Sequence, residues 1–303
     1  MGMMNALHRL EGRRSATTNK LAKVLQATGL SNIFNPSFEC WKSFWYIAFR
    51  AIASEGGAIR SYVLIYEETG QQTRLIDLTE RYALDGISSV ADPKLFRFND
   101  ELWLTFNTGW HPIRNDIYIA RLAPELGAPS KCIYFGRQAI EKNWAFYARG
   151  NSLYAIYALH NGSSVLQAEN FFSSTREVEF TPVGKVLERS NGGSYSIGTQ
   201  LAWNGDKAFL IAHRKIHCLG RRLYLGRLVK VGFEDNDVHT EIGGDYLLHS
   251  FKALLGSRTK HNKNLLSCTY FSGLRMTADG MQVGYGINDV DFALALMGRK
   301  EIW

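Results

Sequence analysis

No run in the 303 residues approaches the roughly 18 apolar positions that a membrane-spanning helix needs. The first stretch, MGMMNALHRLEGRRSATTNKL, carries basic residues but lacks an apolar core of signal-peptide length. A cytoplasmic location is the resulting expectation. There are only four cysteines (Cys40, Cys132, Cys218 and Cys268), scattered and without a Cys-x-x-Cys pair. That spacing excludes a zinc ribbon and suits a reducing compartment. Only six prolines occur, with no low-complexity stretch, so no linker divides the chain. Helix-turn-helix, zinc-finger and RNP patterns are also missing, which argues against a sequence-specific nucleic-acid partner.

What the chain does have is 46% hydrophobic and 13% aromatic residues, enough for a large core. Its net charge is +7, with basic residues gathered at Arg9–Lys23, His213–Arg227 and Arg258–Lys263. Such clusters would meet an anionic surface, polymer or small molecule, or be ordinary solvated surface.

One pattern recurs five times. A polar entrance leads into an alternating strand, a tight polar turn, an aromatic-rich strand with a polar end, and a third strand. The copies begin NPSFECWKSFWYIAFR (35–50), ADPKLFRFNDELWLTFNTG (91–109), EKNWAFYARGNSLYAIYALH (141–160), GTQLAWNGDKAFLIAHR (198–214) and CTYFSGLRMTADGMQVGYGIND (268–289). Leu102, Leu104 and Phe106 alternate with Trp103 and Thr105, which is strand periodicity. Asn204-Gly205-Asp206 and Ala278-Asp279-Gly280 are hairpin-turn chemistry. A repeat of 50 to 70 residues with three or four strands per unit is the pattern of propeller blades. The expectation is an all-β chain: a five-bladed β-propeller over residues 31–303, preceded by a short helical or mobile N-terminal extension, residues 1–30. A β-sandwich is the competing architecture. Thr17-Thr18-Asn19 would cap a short basic helix, Lys20–Ala27.

In a propeller the inner strands line one channel, and polar residues at their ends meet at its mouth. The inner-strand entrances carry Asn35, Asp92, Lys142-Asn143, Thr199-Gln200 and Thr269. The second strands end on Arg50, Asn107, His160, His213-Arg214 and Asn288-Asp289. Pro93 is expected to hold Asp92 in extended backbone and so aim its carboxylate. An aimed carboxylate suits general acid or base work, and an Asx turn is the plainer alternative. Glu141, at the equivalent place one unit later, would supply the second carboxylate that glycosidic chemistry uses, or a local salt bridge to Lys142. Arg50 would bind an anion or a sugar, or ion-pair with Asp92. His160 and His213 would hydrogen-bond a phosphate or sugar, or serve the fold. No histidine spacing argues for a metal site. Gly286 would let the backbone approach the channel closely.

These stretches resemble motifs of the five-bladed glycosidase-like propellers. Asn35-Pro36-Ser37 through Arg50 resembles their first-blade motif. Ala91-Asp92-Pro93-Lys94 stands where they carry Glu-Asp-Pro-Arg. Glu141-Lys142-Asn143-Trp144, Gly198-Thr199 with His213, and Tyr285-Gly286-Ile287-Asn288-Asp289 resemble the later ones. The nearest family by motif is glycoside hydrolase family 130, the β-mannoside phosphorylases and hydrolases, with related glycosyltransferase-like propellers, over residues 33–297. The resemblance implies that Asp92 gives a proton to the glycosidic oxygen, that Lys142 contacts phosphate, that Asp289 binds sugar hydroxyls and that Arg50 lines the same pocket. It implies no cofactor, with inorganic phosphate as a co-substrate. The partner would be an oligosaccharide, a polysaccharide or an activated sugar. A glycosyltransferase of polysaccharide assembly and a non-catalytic glycan-binding propeller are the alternatives; Ala91, in place of the family's glutamate, favours the latter.

Overall fold

Alternation produces strands where one face is buried. Leu102, Leu104 and Phe106 are all enclosed in one core with Tyr82 and Leu122. The computed structural model describes residues 6–52, 57–69, 73–109, 111–141, 143–159, 165–169, 171, 176–183, 186–189, 195–218, 220–234, 237–254 and 262–299. It is all-β, built of curled sheets.

Phe34–Trp41, Phe44–Ile52, Ile59–Glu67 and Thr73–Asp77 form an antiparallel meander. Ala91–Phe98, Glu101–Asn107, Ile117–Ala123 and Ser130–Ile133 repeat it. Ala145–Arg149, Ser152–Ile156, Val165–Glu169 and Glu177–Val183 do so again. These last two meanders join edge to edge, because Glu177–Val183 pairs in parallel with Ser130–Ile133. Ala202–Asn204, Lys207–Cys218, Arg221–Glu234 and Asp237–Ile242 follow. Leu265–Thr277, Gly280–Ile287 and Asp291–Gly298 come last. The turn between Phe98 and Glu101 has Asn99 and Asp100 both at positive φ, 48° and 55°. That is the two-residue hairpin geometry that matches strand twist.

The first strand of each meander lies innermost, and side chains stitch neighbours together. Leu95 N–H donates to Ser37 Oγ at 3.1 Å. Gln200 accepts from Phe146 N–H at 2.7 Å and donates to the Trp144 carbonyl at 2.8 Å. Ser272 Oγ donates to the Pro36 carbonyl at 2.8 Å, returning the last sheet to the first. At the far ends of these inner strands Glu39 takes Arg97 at 3.1 Å and Arg275 at 3.2 Å. Phe96 and Phe146 stack at 5.1 Å within the same core.

The N-terminal helix spans Ala16–Gln26 rather than Lys20–Ala27. Ser15 is its cap: Thr18 N–H donates to Ser15 Oγ at 3.1 Å, and Ser15 N–H donates to Thr18 Oγ1 at 2.7 Å. This reciprocal capping places Thr17-Thr18-Asn19 inside the first turn, not before it. The segment is braced, too. Leu7–Arg9 pairs in parallel with Tyr246–Leu248. Leu296 N–H donates to the Arg13 carbonyl at 2.8 Å, and Leu21 and Leu25 share a core with Leu294.

Candidate functional site

Three inner strands open on a non-glycine residue at positive φ: Asn35 at 54°, Asp92 at 49° and Asn143 at 60°. The ladder slips beside two of them, between Phe34 and Ser37 and between Ala91 and Lys94. Asp92 is therefore not in the extended backbone expected ahead of Pro93. A β-bulge overrides the proline preference, and Asn and Asp tolerate the left-handed region because their short polar side chains bond locally. The consequence is the same in kind: a fixed direction for the side chain. Asn35, Asp92 and Asn143 all line one cavity of about 910 Å³, together with Arg50, Asn107, His213 and Asp289.

Asp92 is buried, and two donors converge on its Oδ1: Arg50 Nη1 at 3.1 Å and Asn35 Nδ2 at 3.3 Å. Asn143 donates through Nδ2 to the Tyr270 hydroxyl at 2.7 Å, while its buried Oδ1 has no hydrogen-bond partner among the described residues. His213 is 1% exposed and packs against Tyr270 with ring centroids 4.4 Å apart, tilted by 33°. Its Nε2 accepts Phe271 N–H at 2.7 Å, which puts the ring proton of the neutral form on Nδ1. Asn107 Oδ1 accepts Gly109 N–H at 2.8 Å. Burial, and then the Asp92 charge, push the Tyr270 phenol well above its ordinary range. The Cys268 thiol is raised by burial and then by Asp289 and Asp92, so both carboxylates act on one point of the cavity wall.

Glu141 and Thr199 do not line this cavity, and neither do the strand-end residues Gln200, Arg214, Thr269 and Asn288. The Glu141 carboxylate is buried beside it and accepts from Trp144 Nε1 at 2.5 Å, Gln138 N–H at 2.7 Å and the Tyr157 hydroxyl. Thr199 is fully buried, with Oγ1 accepting Ile211 N–H at 3.0 Å. Lys142 and His160 lie outside the described residues. Tyr270, a residue that strand-end polarity does not single out, lines the cavity in place of its neighbour Thr269. Adjacent strand residues face opposite ways, so a one-residue offset selects the wrong neighbour.

The close approach at Gly286 is to Asn35, not to the channel itself. A Cβ there would stand 2.0 Å from Asn35 Oδ1 and 3.0 Å from Asn35 N. Gly286→Ala is therefore expected to displace Asn35, to destabilise by about 1–3 kcal/mol through overpacking, and to weaken ligand binding through the loosened Asp92. Denaturant midpoints and titration of the variant measure both effects.

No family model and no curated protein matches the sequence. Solved structures do match. A glycoside hydrolase candidate from Parabacteroides distasonis superposes with a TM-score of 0.61 at 12% identity, over 88% of this chain and 86% of that one. The β-1,2-mannobiose phosphorylase from Listeria innocua gives 0.58 at 11% identity, over 90% and 91%. A GH43_1 enzyme from Xanthomonas citri gives 0.52 at 11% identity, over 89% and 88%. The fold is thus that of the propeller-type glycosidases, with GH130 proteins among the structures it resembles. Identity this low defines the fold and leaves the chemistry to the residues.

Proposed function

We propose that this chain is a carbohydrate-active enzyme, a five-bladed propeller that breaks or forms a glycosidic bond by an inverting route with Asp92 as general acid. The observation that carries this reading is the Asp92 carboxylate, turned by a bulge into a large polar cavity, with Arg50 and Asn35 on its Oδ1. Positioned acids of this kind supply about 10²- to 10⁴-fold of rate.

The Glu141 carboxylate is committed to three donors and is a poor general base. Asp289, on the same cavity, takes that role if water is the acceptor. Phosphate as acceptor needs no second carboxylate, only cations, and Lys142 and the Arg50 side of the cavity would supply them. A cytoplasmic enzyme meets phosphate and activated sugars, which suits phosphorolysis or transfer. The non-catalytic alternative draws on Ala91, an alanine beside the acid where the resembling motif has glutamate.

The test is incubation with a panel of β-glycosides, with and without inorganic phosphate, reading released sugar and its anomeric configuration. An inverted sugar 1-phosphate formed only with phosphate supports the phosphorolytic form. An inverted free sugar formed without it supports hydrolysis. No product from any glycoside or sugar phosphate, with glycan binding intact, would leave a binding protein.

A further inference from the structure

The strands Lys207–Cys218 and Arg221–Glu234 are 12 and 14 residues long, against seven to nine for the corresponding strands of the first two meanders. Their surplus runs on past His213 as a hairpin ribbon, flanked where Arg222–Tyr224 pair in parallel with the start of Leu265–Thr277. At about 3.3 Å per residue, His213 to His217 covers roughly 13 Å. Residues two apart share a face, so His213, Lys215 and His217 lie on one side of the ribbon. Their cross-strand partners are Gly226, Tyr224 and Arg222. The side chains of that face line the same cavity as Asp92 and Asp289, and Lys263 lines it as well. Among the described residues no carboxylate is ion-paired with Lys215, Arg222 or Lys263. The face grades from a buried floor at His213 to the exposed Lys215 and His217.

We infer that this ribbon binds an anionic substituent, a carboxylate, sulfate or phosphate, carried by a glycan whose reacting end lies on the floor beside Asp92. The inference rests on the glycan reading and names the substrate class for it. Cations spread along a wall suit charges placed along a chain. A single free phosphate would call for cations converging on one point.

The experiment presents the full chain to neutral hexose oligosaccharides, to their uronate, sulfated and phosphorylated counterparts, and to inorganic phosphate alone, followed by titration of the binders. An acidic glycan is expected to bind best and to lose about tenfold or more in affinity between about 20 mM and about 200 mM salt. Lys215→Met and Arg222→Met should each weaken it about tenfold. Lys207→Met, at the opposite end of the strand Lys207–Cys218, should leave it unchanged. Neutral and acidic glycans bound alike, and both variants without effect, would overturn the inference while the glycan reading stands. Inorganic phosphate binding that is lost in both variants, with no preference for acidic glycans, would also overturn it. Binding of no glycan at all would overturn both readings together.

Discussion

Asp92→Asn is expected to lower turnover about 10²- to 10⁴-fold while the protein folds and binds its glycan. Asparagine is the informative replacement because of the backbone. Asp92 sits at a φ of 49°, a region that asparagine enters almost as readily as aspartate. Asn35 and Asn143 already do so at two other strand entrances. The variant therefore removes the proton and the charge without disturbing the bulge. Alanine would add backbone strain and confuse a chemical loss with a structural one. The replacement amide still offers its carbonyl oxygen to Arg50 and Asn35, so the affinity for a neutral glycan should change little. Turnover equal to that of the parent, measured at saturating substrate, would remove Asp92 from the chemistry.

Glu141→Ala should behave in the opposite way. Three donors converge on that carboxylate from Trp144, Gln138 and Tyr157. Burial first, and then the bond to Glu141, hold the Tyr157 phenol above its ordinary range, so Tyr157 keeps its proton and donates it. Truncation leaves these donors facing a void beside the Trp144 ring, which packs edge-on against Tyr157 and Phe180. The expected cost is about 3–5 kcal/mol, the range for emptying a buried charged hydrogen-bond cluster. Glu141→Gln should fall between, since its amide returns one acceptor and turns a donor toward donors. Denaturant unfolding reads the loss, and a pH–rate profile separates the two roles. A structural glutamate leaves the shape of that profile unchanged. A Glu141→Gln protein with parental stability and no turnover would restore Glu141 to the chemistry.

The strand pattern is legible in the sequence because burial imposes it. Leu102, Leu104 and Phe106 announce an inward face whatever lies beyond it. The outer strands Thr73–Asp77 and Ser130–Ile133 are not, because five and four residues are too few for a period to register. Asp92, Asn35, Arg50 and Asp289 stand out as polar residues at strand ends, and the fold gathers them on one cavity. Glu141 and Thr199 meet the same criterion and lie elsewhere. A sequence shows that a polar side chain stands at a strand end, not which neighbour will claim it. The ribbon wall is half visible as the cluster His213–Arg227. That its cations share one face with His213 depends on register, which no composition reveals.

The helix Ala16–Gln26 lies along Asp291–Gly298, and the Arg13 carbonyl accepts an amide hydrogen bond from that strand. An uncovered outer strand is a template for a second chain to add to. The opening residues thus act as a built-in guard against self-association. A chain shortened to begin at residue 31 should refold into a species that grows with protein concentration, visible by light scattering. Fusion partners placed ahead of Leu7 should be tolerated only when joined by enough slack to leave that guard in place.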